Sequence, residues 1–165
     1  MERTPIEIFE LLNVRRDLTL EFLAIFARFE FALKKAGYAR GDDSKVSPDW
    51  DSFARDVAKL DLAVLAPVLN ACQYLQQHPP KKQALQNGCL HWVVRQGTSG
   101  SAIGDALLSV RTVRNNVFHG GKFPDGVITD PLRDEQLILD CLAVLKGLLE
   151  LPLPKNVANL FKEGL

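Results

Sequence analysis

Apolar residues recur every three or four positions along most of the chain, which is the spacing of one face of an α-helix. Two such stripes run through the segment from Leu18 to Tyr38 and predict a helix that is buried on two sides and ends near Gly37. The first stripe comprises Phe22, Ile25, Phe26, Phe29 and Leu33, and the adjacent one comprises Leu20, Leu23, Ala24, Ala27 and Phe31. Its solvent side is marked every seven residues, by Glu21, Arg28 and Lys35.

Prolines and capping residues divide the next part of the chain. The polar segment from Arg40 to Ser47 predicts a loop, and Ser47 before Pro48 predicts the cap and first residue of a short helix. The apolar segment from Leu60 to Leu75 predicts another helix, which ends before Pro79 and Pro80 because proline cannot continue it.

Three more helices complete the predicted pattern. One is expected from Lys81 to Arg95, and the next begins after a cap at Ser99 or Ser101 and meets a left-handed stop at Gly120-Gly121. Asp130 caps a last long helix that starts at Pro131. No alternating run is long enough for a multi-stranded sheet. We therefore expect an all-α bundle of about five or six helices that forms one domain over residues 1–165.

Composition narrows the function classes. Twenty Lys plus Arg balance twenty Asp plus Glu among 165 residues, so a nucleic-acid site must be a local patch rather than a global basic field. Three cysteines without a CxxC pair indicate neither a disulfide framework nor a thiolate zinc site, which fits a reducing cytoplasm. The first residues lack a signal-peptide pattern, and the apolar stretches are interrupted by polar residues. We expect a protein that is neither secreted nor membrane-spanning.

The sequence lacks the residue patterns of several common binding and catalytic sites. The glycines at positions 97, 100 and 104 match neither phosphate-binding loop pattern. His91 with Cys89 lacks further metal ligands at suitable spacing, and the chain contains no GxSxG motif. We expect no metal and no cofactor.

The candidate functional residues are concentrated in one segment near the end of a predicted helix, RTVRNNVFHGGKF from Arg111 to Phe123. It contains two arginines, two asparagines, a histidine and a lysine. At about 100° per residue, Arg114 falls in the same stripe as the apolar positions 103, 107 and 110, which directs its guanidinium toward the apolar side. A guanidinium there requires an anion. Glu30 is our candidate partner, because it stands apart from the solvent stripe of the first helix.

His119 lies on the same ridge as Asn115 but about 140° around an ideal helix from Arg114. Either the two glycines rotate His119 out of register, or two copies of the chain line a shared cleft at a two-fold interface. A structural interpretation also stands, since a histidine in the last turn interacts favourably with the helix dipole before Gly120 ends the helix. It does not explain the inward arginine or the two asparagines that follow it. Spacing alone leaves both interpretations open.

The arrangement Arg114-Asn115-x-x-x-His119, late in a helix of a small helical domain, resembles the R-x4-6-H motif of the HEPN superfamily. The surrounding RNNVFHGGK is similar to the branch related to the ApeA-type HEPN domains. The resemblance implies a HEPN-like helical fold and a metal-independent endoribonuclease of toxin or antiviral-defence type. It also implies a homodimer in which two motifs form one composite site.

The resemblance assigns a role to each motif residue. Histidines from the two chains would take the proton from a ribose 2′-hydroxyl and protonate the departing 5′-oxygen, leaving 2′,3′-cyclic phosphate and 5′-hydroxyl ends. Arg114 would stabilise charge at phosphorus, and Asn115 would orient His119 or bind the phosphate. The remaining assignments are Glu30 as support for Arg114 and, as contacts to the RNA, Arg111, Asn116 and Lys122.

Two other functions stay open. A non-catalytic HEPN-like domain would bind RNA or a nucleotide or serve as a partner module, and the zero net charge favours it. A purely structural helical dimer would pair the arginine and the histidine across its interface. We expect no separate sensor domain, so target selection would come from a loop or from an antitoxin or sensor protein as partner.

Overall fold

The computed structural model describes residues 8–94, 99–121 and 130–164. These residues include six α-helices and two short β-hairpins. The helices are α1 (Arg16–Lys35), α2 (Trp50–Val57), α3 (Leu62–Gln77), α4 (Ala102–Phe118), α5 (Pro131–Leu149) and α6 (Val157–Lys162). The strands are β1 (Ala39–Asp42), β2 (Lys45–Pro48), β3 (Lys82–Gln86) and β4 (Cys89–Val93). A mostly helical fold is confirmed, but the expectation of a purely α protein is wrong.

The hydrophobic core lies among α1, α3, α4 and α5, and α4 also packs against α2. Helix α4 contributes an almost continuous buried stripe that includes Leu107, Val110 and Val113. The prediction that α1 is buried on two sides is wrong. Its second stripe is largely exposed, with Leu20 at 46% and Phe31 at 42%. A helix buries two stripes only if other elements pack against two of its sides. The neighbouring elements cover one face of α1, so the second stripe stays largely exposed.

The predicted helix ends are confirmed at three places. Ser101 accepts a hydrogen bond from the backbone N–H of Gly104 at the start of α4, and Asp130 accepts one from the N–H of Arg133 at the start of α5. Gly120 adopts the left-handed conformation (φ +81°) that ends α4.

The segment predicted as a loop between α1 and α2 is an antiparallel β-hairpin, in which Arg40 pairs with Ser47. Ser47 therefore lies in β2, and the prediction that it caps α2 is wrong. The cap is Asp49, whose carboxylate accepts a hydrogen bond from the N–H of Ser52 at 2.9 Å. The helix begins at Trp50, so the residue directly before it satisfies one of the free N–H groups of the first turn.

The predicted helix from Lys81 to Arg95 is also wrong, since residues 82–93 form the β3–β4 hairpin. Asn87 and Gly88 have φ values of +51° and +78°, as a tight two-residue hairpin turn requires. An Asn-Gly pair opposes a helix at this point more strongly than the apolar spacing supports one. The hairpin docks on the end of α4, where a Cβ added to Gly121 would lie 2.9 Å from the Trp92 ring.

Candidate functional site

A cleft of about 270 Å³ opens where α1, α2 and the β1–β2 hairpin meet α4. Its polar lining consists of Glu30, Arg40, Ser47, Arg111, Arg114 and Asn115, and its apolar lining of Phe26, Pro48 and Trp50. Three arginines from two different elements thus meet at one concave surface, in a chain whose net charge is zero.

Helix geometry explains which motif residues reach the cleft. Arg111, Arg114 and Asn115 are spaced i, i+3 and i+4, so they share one face of α4. Asn116 is rotated by about 100° from Asn115 and lies away from the cleft. It is 8% exposed, and its side-chain amide donates to the carbonyl of Lys81 at 2.8 Å. This hydrogen bond ties the start of the β3–β4 hairpin to α4, and a contact of Asn116 with RNA stays a prediction.

The guanidinium of Arg114 lies among aromatic rings beside a carboxylate. Its centre is 5.2 Å from the ring of Phe26 and 5.3 Å from that of Phe118. Its Nη2 is 3.9 Å from Oε2 of Glu30, and its Nη1 donates to Oδ1 of Asn115 at 3.0 Å. Glu30 is thus where helix phase predicts it. A separation of 3.9 Å is an electrostatic contact rather than a hydrogen bond, so the guanidinium retains capacity for another anion.

Trp50 contacts the other carboxylate oxygen of Glu30. Its indole N–H donates to Oε1 of Glu30 at 3.5 Å, and its ring stacks with Phe26 and Phe29 at centroid distances of 5.2 and 6.1 Å. The indole is almost fully buried, so its position is set by core packing. The carboxylate that faces Arg114 is therefore also hydrogen-bonded to a side chain of the core.

A second ion-pair network, centred on Asp51 in the first turn of α2, involves two of the cleft arginines and was not foreseen from the sequence. Asp51 accepts from Arg40 at 2.7 Å through one oxygen and from Arg111 at 2.9 Å through the other. Asp49 also accepts from Arg40, at 2.5 Å. The hydrogen bond from Arg40, with the charge of Arg111, lowers the pKa of Asp51, so this carboxylate is ionised at neutral pH.

His119 lies directly after α4, at the C-terminal cap, and its side chain is exposed. Its imidazole meets the edge of the Phe118 ring at a centroid distance of 5.4 Å, and the same ring is in contact with Arg114. The guanidinium and the imidazole therefore flank one phenyl ring at one end of the helix. His119 is not among the described residues that line the cleft, whereas Arg114 is.

Arg111, predicted as an RNA contact, lies in the cleft. Lys122, also predicted as an RNA contact, lies outside the described residues. Within the described ranges, no group of three or more His, Cys, Asp and Glu side chains has the arrangement of a metal site.

Comparison of the chain with protein-family models, curated proteins and solved structures finds no match. The resemblance to the HEPN superfamily therefore stays a prediction that rests on the motif. None of the described helices combines the length and the apolar character that crossing a bilayer requires.

Proposed function

We propose that the chain is a metal-independent endoribonuclease of toxin or defence type, with the arginine cleft as its phosphate-binding site. The observation that carries the proposal is the convergence of Arg40, Arg111 and Arg114 with the amide of Asn115 on one cleft. Guanidinium groups bind phosphate oxygens through two parallel N–H donors, and their charge opposes that of the RNA backbone.

The proposed chemistry uses the ribose 2′-hydroxyl as the nucleophile. A neutral His119 takes its proton while the oxygen attacks phosphorus, and a protonated His119 of a second copy gives a proton to the departing 5′-oxygen. Arg114 stabilises the negative charge that develops on the phosphoryl oxygens, and Asn115 contacts the phosphate. The products are a 2′,3′-cyclic phosphate and a 5′-hydroxyl.

A homodimer belongs to this proposal because each chain has one motif histidine and it lies outside its own cleft. Phe118 is 66% exposed beside His119, so an apolar contact surface adjoins the motif. A two-fold neighbour seated there would bring its own histidine toward the rim of the cleft. We further propose a cytoplasmic location, where RNA and reduced cysteines coexist, and an antitoxin or sensor protein that controls the activity.

A second candidate function is a HEPN-like domain that binds RNA or a nucleotide without cleaving it. The observation that favours it is the position of His119 outside the cleft that holds Arg114. In this case the arginines bind phosphate, and His119 only completes the end of α4.

Incubation of the purified protein with labelled single-stranded RNA in EDTA tests the proposal. The wild type should cut the RNA, whereas His119→Ala and Arg114→Gln should leave it intact. His91→Ala is the matched control, since His91 is another exposed histidine, on β4, and this variant should cut like the wild type. RNA that is bound but never cut supports the second candidate. Cleavage by His119→Ala at the wild-type rate contradicts the proposed mechanism.

A further inference from the structure

We propose that Asp51 is an internal competitor for the anion site of the cleft. In the free protein its carboxylate occupies Arg40 and Arg111, and a phosphate group of the ligand takes its place on binding. The inference rests on the proposed function only in taking RNA as the source of that phosphate. A free polyphosphate would use the same chemistry.

The contacts of Asp51 resemble those of a bound anion. One carboxylate oxygen accepts from Arg40 on the β1–β2 hairpin, and the other accepts from Arg111 on α4, 60 positions along the chain. A single carboxylate of α2 thus joins the hairpin and α4 by charge-assisted hydrogen bonds to two arginines that line the cleft. A phosphate offers the same two acceptors and further oxygens, which is the match that guanidinium groups favour.

The three side chains are partly exposed, so a phosphate group can replace the Asp51 carboxylate without unfolding of the protein. The side chains of Asp51 and Arg40 are 53% and 51% exposed, and that of Arg111 is 35% exposed. Water reaches all three groups, so an incoming anion can replace the carboxylate while the helices stay in place. Ion pairs this exposed contribute little to stability, so their replacement costs little.

Asp49 contacts the same arginine but has a different role. Its oxygens also accept from the N–H and the hydroxyl of Ser52, at 2.9 and 2.7 Å, and its side chain is only 17% exposed. It caps α2 and keeps Arg40 near the cleft when Asp51 is displaced. Asp51 is therefore the carboxylate of this pair that a ligand can displace.

The competition weakens binding of every anion that occupies Arg40 and Arg111, by about the same factor. A phosphate in the cleft must displace Asp51 and then lie near its negative charge. A strand with several phosphates compensates for this through its other contacts, whereas a single phosphate does not. Asp51 therefore sets how many other contacts an anionic ligand needs in order to bind tightly.

Substitution of Asp51 by asparagine tests the inference, because it removes the charge and keeps the size. We expect Asp51→Asn to bind pyrophosphate in calorimetry, and a fluorescein-labelled 2′-O-methyl decauridine in anisotropy, roughly three- to ten-fold more tightly than the wild type. The 2′-O-methyl groups block cleavage, so binding is measured alone. Asp43→Asn is the matched control, because it removes an exposed charge from the hairpin that carries Arg40 and should change affinity less than about twofold.

Two further variants sharpen the result. Asp51→Ser should show the same gain, which guards against an effect peculiar to asparagine. Adding Arg111→Gln to Asp51→Asn should abolish the gain, because the released arginine is then missing. Melting temperatures of all variants report whether each one folds.

The outcomes separate the inference from the proposed function. A gain in pyrophosphate binding supports the inference even if the wild type cuts no RNA, and a gain with pyrophosphate alone identifies a free phosphate ligand as the source. Equal or weaker binding by Asp51→Asn and Asp51→Ser overturns it even if the wild type is a nuclease. Binding of neither probe by any variant also overturns it.

Discussion

Replacing Arg114 by glutamine separates the structural and functional roles of the cleft. The substitution keeps much of the side-chain length and removes the charge. It deletes the 3.9 Å contact with Glu30 and the cation–π contacts with Phe26 and Phe118. The side chain is 29% exposed, so water partly replaces these interactions.

The stability cost of Arg114→Gln follows from these contacts. A partly exposed ion pair contributes about 0.2–1 kcal/mol, and a cation–π contact at an accessible site contributes about 0.5–1 kcal/mol. The free energy of unfolding should fall by on the order of 1–3 kcal/mol, which lowers the melting temperature by about 2–12 °C for a domain of this size. The protein therefore stays folded at 25 °C.

The functional cost should be larger. Loss of a charge-assisted hydrogen bond to a phosphate costs about 1.5–3 kcal/mol, which corresponds to a roughly 10- to 100-fold loss of RNA affinity. The cleavage rate should fall by at least roughly 100-fold if Arg114 also stabilises charge in the transition state. Anisotropy with an uncleavable strand measures the first effect, and single-turnover cleavage of RNA measures the second.

Arg28→Gln is the matched control for this experiment. Arg28 also covers an aromatic ring, Phe31 at 4.7 Å, and donates to the carbonyl of Phe161 at 2.8 Å, outside the cleft. It should lose similar stability while RNA affinity and cleavage stay at the wild-type level. If Arg114→Gln and Arg28→Gln lower RNA affinity and cleavage equally, or neither lowers them, the reasoning about the cleft is refuted.

Three further predictions concern the fold. Gly121→Ala should lower the melting temperature by several degrees, on the order of 1–2 kcal/mol, because the new Cβ meets the Trp92 ring at 2.9 Å; an unchanged melting curve would contradict this docking of the β3–β4 hairpin. Burial raises the pKa of Asp140 above its ordinary value of 3.8, so ionisation of this carboxyl opposes folding at pH values above 3.8. Asp140→Asn should therefore raise the melting temperature at pH 7, and this gain should vanish below pH 3.8, where the carboxyl is protonated in the folded and the unfolded chain. Iodoacetamide at pH 8 should label only the exposed Cys89 among the cysteines of the native protein, because Cys72 and Cys141 are buried and burial raises the pKa of Cys72 to about 12. Intact-mass spectra with two or three adducts would refute this prediction.

Local signals in the sequence predicted the parts of the fold that depend on neighbouring residues. Ser101 and Asp130 begin helices because their side chains satisfy backbone N–H groups within three residues. The turn at Asn87-Gly88 carries an equally local signal, which was outweighed by apolar spacing that a short strand also satisfies. The exposed second stripe of α1 could not be foreseen, because burial depends on how many elements pack against a helix.

In the candidate site, too, local patterns predicted some contacts, and contacts between distant elements were missed. Helix phase predicted Glu30 beside Arg114, since each residue faces the apolar side of its own helix. Arg40 was missed because its position depends on a hairpin that resembles a polar loop in sequence, and Asp51 was missed because its partner Arg40 lies on that hairpin. The contact between Asp51 and Arg111 joins residues 60 positions apart, and no local pattern specifies such a pairing.

Cleavage of a chimeric oligonucleotide tests the central proposal most directly. The substrate is a DNA strand with one internal ribonucleotide, incubated with the protein in EDTA. We predict one cut, on the 3′ side of that ribonucleotide, with a 2′,3′-cyclic phosphate on one product and a 5′-hydroxyl on the other. Cuts at deoxyribonucleotides, or an intact chimera under conditions in which the protein binds it, would contradict the account.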